Sequence, residues 1–311
     1  MGNGFLDRVE ENTAVRTWSE KIQHEKGRQA SVSALAQFWN LAYSCFTFGK
    51  VDLVPTIEEY IALLRCSKVQ VDRIYSKAVN VPTFLKKLIN ITGMSEQWVT
   101  ARIKQKGDSR CIPWKSLRDL ILAHLDVRKK VDVFALSIYG LIVFPKILGH
   151  IDEAVTDLFD RLDKGVTPVP VILAETFRSL NACRRTGEGR FIGCAQLLLG
   201  WFHSHFWKVD KNLQEENVEW RASWLLPDDI LYRCGDFDWV PLLGIWGAVG
   251  YAPLLVLRQY RSRQFVSATQ GLAECEFSYK DDGYKRKARE MANAWNQTRR
   301  MKISRGSNDN F

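Results

Sequence analysis

The chain has 311 residues, 46% of them hydrophobic and 25% charged, with eleven Trp and sixteen Phe. That composition belongs to a packed globular protein and excludes a disordered or collagen-like chain. A formal net charge of +9 and a pI near 9.2 favour acidic partners such as nucleic acid.

The seven cysteines, Cys45, Cys66, Cys111, Cys183, Cys194, Cys234 and Cys275, are odd in number, scattered and without a C-x-x-C pair. They read as reduced thiols in an intracellular protein, not as a disulfide framework. No basic start followed by an apolar run opens the chain, so no secretory signal is expected.

Residues 1–35 read as an amphipathic helix and a connector. Pro55-Thr56-Ile57-Glu58-Glu59 has the form of a capping box, followed by Tyr60, Ile61 and Leu64 at helical spacing. Val81-Pro82-Thr83 opens a second helix through Phe84, Leu85, Leu88 and Ile89, and Ser95 caps a third with Trp98 and Val99. A helix over Trp114–Leu125 precedes Val131–Leu148, which is mostly apolar and is expected to form a buried core helix. Ile151–Leu162 carries the cleanest stripe, and its Asp152, Glu153, Asp157 and Asp160 are expected on a solvated face.

After the stiff Thr167-Pro168-Val169-Pro170 connector, helices are expected around Ile172–Cys183 and Phe191–Trp207. Val240–Leu257 is uncharged and near spanning length, but Pro241, Pro253, Gly244, Gly247 and Gly250 make it a bent, buried segment rather than a membrane span. Strand signals are confined to Gln264–Val266 and Cys275–Tyr279. Tyr284, Ala288, Met291, Ala292 and Trp295 form a last helical stripe, and residues 301–311 read as a disordered tail. The expected fold is mainly α: a single large multi-helix domain over residues 36–300 with at most a few short strands.

Chemistry is sparse. His203 and His205 sit two apart, so on a helix they diverge by about 200° and cannot share an ion. Gly187–Gly193 lacks the dinucleotide spacing and a Walker lysine, but Arg184, Arg185 and Arg190 beside a helix start could hold an anion. Arg258, Tyr260, Arg261 and Arg263 interleave guanidinium with an aromatic ring and are the best nucleic-acid candidates, set against the alternative that these arginines tie loops together. No nucleophile elbow or H-E-x-x-H motif occurs. No enzyme activity, metal or cofactor is expected.

Several segments resemble the plant mobile domain family. Pro55–Leu64 is similar to its early helix, and Ala135-Leu136-Ser137-Ile138-Tyr139-Gly140-Leu141-Ile142-Val143-Phe144-Pro145 to its central helix ending in Phe-Pro. Arg190–Trp201 and Tyr251-Ala252-Pro253 with Val256-Leu257-Arg258-Gln259-Tyr260 are similar to its later signatures. The resemblance covers roughly residues 36–300 and is greatest to an uncharacterised branch that often precedes coiled-coil tails. It implies a helical, non-enzymatic nuclear interaction module, linked to transposable-element silencing or derived from such an element. The alternative is a structural domain that binds protein partners; an enzyme with a site near residues 184–205 ranks below both. Some members carry an aminotransferase-like label, but no lysine here stands in a Schiff-base context.

Overall fold

A computed structural model describes residues 25–48, 51–66, 73–75, 83–187, 190–208, 218–220, 228–253, 272 and 275–302. The elements begin with α1 (Glu25–Ala36), β1 (Trp39–Asn40), β2 (Cys45–Phe48), β3 (Val51–Leu53) and α2 (Ile57–Leu64). There follow α3 (Phe84–Thr92), α4 (Glu96–Thr100), β4 (Lys104–Lys106), β5 (Ser109–Pro113), α5 (Trp114–Ala123) and α6 (Val127–Ile138). A π-helical turn (Tyr139–Val143) leads to β6 (His150–Asp152), α7 (Glu153–Leu162), α8 (Val169–Thr186), α9 (Ala195–His205), β7 (Phe206–Lys208) and β8 (Val218–Trp220). The described chain closes with β9 (Asp229–Cys234), β10 (Val240–Leu243), β11 (Gly247–Tyr251), β12 (Phe277–Ser278), α10 (Tyr284–Trp295) and β13 (Thr298–Lys302).

This is a mixed α/β architecture, which corrects the mainly α expectation. About half of the described residues are helical and about a fifth lie in strands. The strands form small antiparallel sheets: β1-β2-β3, β4-β5-β6, β10-β11-β12, β9 with β13, and β7 with β8. Period-2 alternation cannot reveal them, because the longest has six residues and β10 and β11 are buried along their whole length. The uncharged Val240 segment is therefore a hairpin, with Val240 opposite Tyr251 and Leu243 opposite Ala248.

Helix starts follow local chemistry. Glu59 N donates to Thr56 Oγ1 at 3.1 Å and Thr56 N donates to Glu59 Oε2 at 3.0 Å, completing the capping box of α2. Thr83 caps α3, Ser95 caps α4, Asp126 caps α6 and Asp152 caps α7. The centre is α8, buried continuously from Val169 to Phe177 and packed against α1, α2 and the β10–β11 hairpin. Glycine is required where the hairpin meets it, since a Cβ on Gly244 would lie 2.1 Å from Glu175 Oε1.

The expectation of a buried core helix over Val131–Leu148 is also corrected. The α-helix ends at Ile138, the π-helical turn follows, and the segment buries one side, the side that carries Val133, Leu136, Ser137, Gly140 and Phe144. Gly140 permits that cover: a Cβ there would approach Ile151 Cγ1 to 2.6 Å. Gly140→Ala is expected to lower stability by about 1–3 kcal/mol through overpacking. A denaturant midpoint matching the wild type would contradict this contact.

Candidate functional site

Two regions hold the features that function could use: a buried polar core and the open face of α6. In the core, the capping carboxylate of α2 does more than cap. Glu59 Oε2 also accepts from Trp201 Nε1 at 2.8 Å, and Oε1 lies 2.9 Å from His205 Nε2. The other ring nitrogen, His205 Nδ1, is 3.0 Å from the Trp201 carbonyl. Both neighbours of the ring are acceptors when Glu59 is ionised, so the ring that satisfies them is imidazolium, donating from both nitrogens.

The electrostatics agree. Burial pushes the Glu59 carboxyl up, but the His205 charge and hydrogen bond, with those from Thr56 and Trp201, outweigh it and hold the group below the usual range. Burial pushes His205 down, and Glu59 more than compensates, so the imidazole lies above its usual value. At His203, two residues earlier, burial lowers the imidazole to about 4, and its ring stands edge-on to Phe202. Among the described residues no group of three or more His, Cys, Asp or Glu is placed to hold a metal ion.

Adjacent Glu58 turns to the β9–β13 pair. Its Oε1 accepts from Leu231 N at 3.0 Å and lies 3.4 Å from Arg300 Nη1. Burial dominates and raises this carboxyl to about 7.

The acids of α7 do not form the expected solvated face. Asp152 is buried, accepting from Ala154 N at 2.8 Å and Trp246 Nε1 at 3.2 Å, with Lys146 Nζ at 3.4 Å. Asp157 takes Tyr75 Oη at 2.7 Å, Lys87 Nζ and Arg161 Nη2 at 3.3 Å. Burial raises the Asp157 carboxyl, but these partners together bring it below its ordinary value. An amphipathic pattern shows which residues are apolar; it cannot show that Lys87 from α3 arrives to neutralise the polar side.

The three arginines of the anion hypothesis face three ways. Arg184 lines an open cleft of about 530 Å³ with Trp39, Asn40 and Thr47. Arg185 pairs with Glu276 at 2.6 Å, and Arg190 donates to the Pro145 and Lys146 carbonyls. Arg258, Tyr260, Arg261 and Arg263 lie outside the described residues. No helix among the described residues is long and apolar enough to cross a membrane.

The open face of α6 and the π turn presents Val127, Val131, Phe134, Ile138 and Ile142, exposed by 70, 60, 53, 37 and 42%. Leu125, just before the helix, is 99% exposed. The 4-3-4-4 spacing of these five residues is legible in the sequence, but the apolar residues interleaved with them hide it.

The buried ion pair makes a stability prediction. His205→Ala leaves an uncompensated carboxylate and is expected to cost about 3–5 kcal/mol in denaturant unfolding; a cost under about 1 kcal/mol would contradict the pair. The pH dependence has a definite sign. The contribution of His205 is complete below its ordinary value of 6.5 and lost as pH rises through its raised one. Glu58, raised to about 7, holds its proton more tightly when folded, so stability also falls as pH climbs from 4.5 to about 7. The lowered groups, Glu59 and Asp157, add stability that is lost only in acid. His203, lowered to about 4, works the other way as pH rises to 6.5. Glu58 loses stability over the longer stretch to about 7, and His205 adds to that loss. Unfolding free energy should therefore be greater near pH 5.5 than near pH 8, and the reverse order would refute these assignments.

Neither a curated protein nor a solved structure matches the chain. A family model described as a domain of unknown function (DUF7745) matches residues 21–310, and that description carries neither a function nor a link to the plant mobile domain. With the match spanning nearly the whole chain, this protein belongs to the DUF7745 family.

Proposed function

We propose that the chain is a non-enzymatic protein-interaction module whose contact surface is the open face of α6. The observation that carries this reading is the row of five part-exposed apolar side chains along one helix. Large exposed apolar patches are rare on monomers and mark sites of association. In the same reading Glu59 and His205 tie α2 to α9, since their polar atoms face protein donors and acceptors. The resemblance to the plant mobile domain supplies the setting of the proposal, nuclear work on or derived from transposable elements.

The test is photo-crosslinking in cells with p-benzoylphenylalanine placed at Phe134. Adducts to another polypeptide, mapped to this position, are expected. Chain that carries the crosslinker at Phe134 and stays free of any adduct, while a protein with a known contact crosslinks in the same cells, would refute the reading.

A second reading is favoured by one specific feature. Lys285, Arg286, Lys287 and Arg289 of α10 are all exposed, and Arg299 is exposed on the following strand. Such a basic face suits phosphate contact. Fluorescence anisotropy with duplex DNA and single-stranded RNA is expected to show binding that weakens steeply between about 50 and 200 mM salt. No binding at the lower salt, by folded protein, would leave the charge as a solubility feature.

A further inference from the structure

Resting on the interaction reading, we infer that the open face of α6 pairs with the α6 face of a second copy of this chain, the two helices running antiparallel. Three observations carry this. The first is the spacing. Val127, Val131, Phe134 and Ile138 follow each other at 4, 3 and 4 residues, the alternation that lets two helices pack along a shared seam, and Ile142 extends the row four residues further in the π turn. The row runs from α6 through the π turn, about 24 Å at the rise of a helix.

The second is self-complementarity. A two-fold contact requires that when one residue meets another, the second meets the first. An axis passing between positions 134 and 135 sets Val127 opposite the second copy's Ile142 and Val131 opposite its Ile138. The two Phe134 rings meet beside the axis. Large residues thus face apolar residues along the whole row, with no polar side chain of the row entering the seam.

The third is area and charge. With Leu125, the row leaves roughly 600 Å² of mostly apolar surface in water per copy, at the known size of such side chains. If a second copy covers all of it, about 1,200 Å² is buried on the two copies together, the lower bound of specific interfaces. Arg128, Lys129 and Lys130 crowd the first turn of α6, where Asp126 caps the backbone and Lys129 reaches the Asn90 carbonyl at 2.7 Å and Asp132 at 3.6 Å, leaving the turn with a net positive charge. A parallel pair brings two such basic turns together. An antiparallel pair sets each beside the carbonyl end of the other helix, where cations are favoured.

Sedimentation of the purified chain over about 1–100 μM tests the pairing, a range suited to an interface of this size. Expected is a reversible species of twice the 35.8 kDa chain mass. Phe134→Glu should hold the chain at 35.8 kDa throughout, with an unchanged circular dichroism spectrum and melting temperature, because the side chain is half-exposed. Val131→Glu and Ile138→Lys should each abolish self-association but form a heterodimer when mixed, since only the antiparallel register sets position 131 against position 138. A monomeric wild type overturns the proposal, as does a dimer that Phe134→Glu leaves intact. A mixture of the Val131 and Ile138 variants that stays monomeric overturns the antiparallel register. A monomeric wild type whose crosslinker at Phe134 still captures a different polypeptide overturns the second copy and leaves the interaction reading standing; loss of both removes the two together.

Discussion

Glu59 holds a charge where no water reaches it, and the way it is neutralised organises the middle of the molecule. One oxygen closes the first turn of α2 and accepts from Trp201; the other meets His205. A buried carboxylate without partners would shift its pKa and lose its charge. Here α9 delivers a cation and an indole N–H from one helical turn, four residues apart. Helix α9 is thereby fixed against α2 in both position and rotation. Trp201 then packs on Phe46 of β2, at a ring separation of 5.9 Å, and so extends the constraint to the first sheet.

The same device recurs elsewhere. Asp157 gathers groups from α3, from Tyr75 and from its own helix, while Glu175 accepts from Trp246 N at 2.8 Å and Arg178 at 3.0 Å to seat the β10–β11 hairpin on α8. Asn181 joins Trp39 of β1 to Glu276 before β12. Each of these groups would look catalytic in isolation. Each instead is hydrogen-bonded to at least one neighbour on a different element, which is the arrangement of a tie. Ties of this kind suit a fold whose sheets are too short to hold together by their ladders alone.

Much of the helical content was legible, because capping chemistry is local: Thr56, Thr83 and Ser95 each announce a helix within four residues. The sheets were not, since a strand of two to six residues is defined by a partner far away in sequence. β9 pairs with β13 across some sixty residues, and β5 with β6 across some forty. Burial of the acids was equally hidden, because the partner that makes a buried Asp157 stable comes from another helix. For α6 the failure was of another kind. Apolar residues on both sides of the helix hid which side looked outward, and only the packing of α3, α5 and Ile151 against one side reveals that the other is open.

The division between the hydrogen-bonded Glu59 cluster in the core and the open apolar face of α6 is the central feature of this protein. Hydroxyl-radical footprinting at rising protein concentration reads both halves at once. Phe134 and Leu125 should label strongly in dilute solution and become protected as concentration rises, while Trp201, fully buried within the chain, should stay unlabelled throughout. Labelling of Phe134 that is the same at every concentration, or protection already complete in dilute solution, would contradict an open face that a second copy covers.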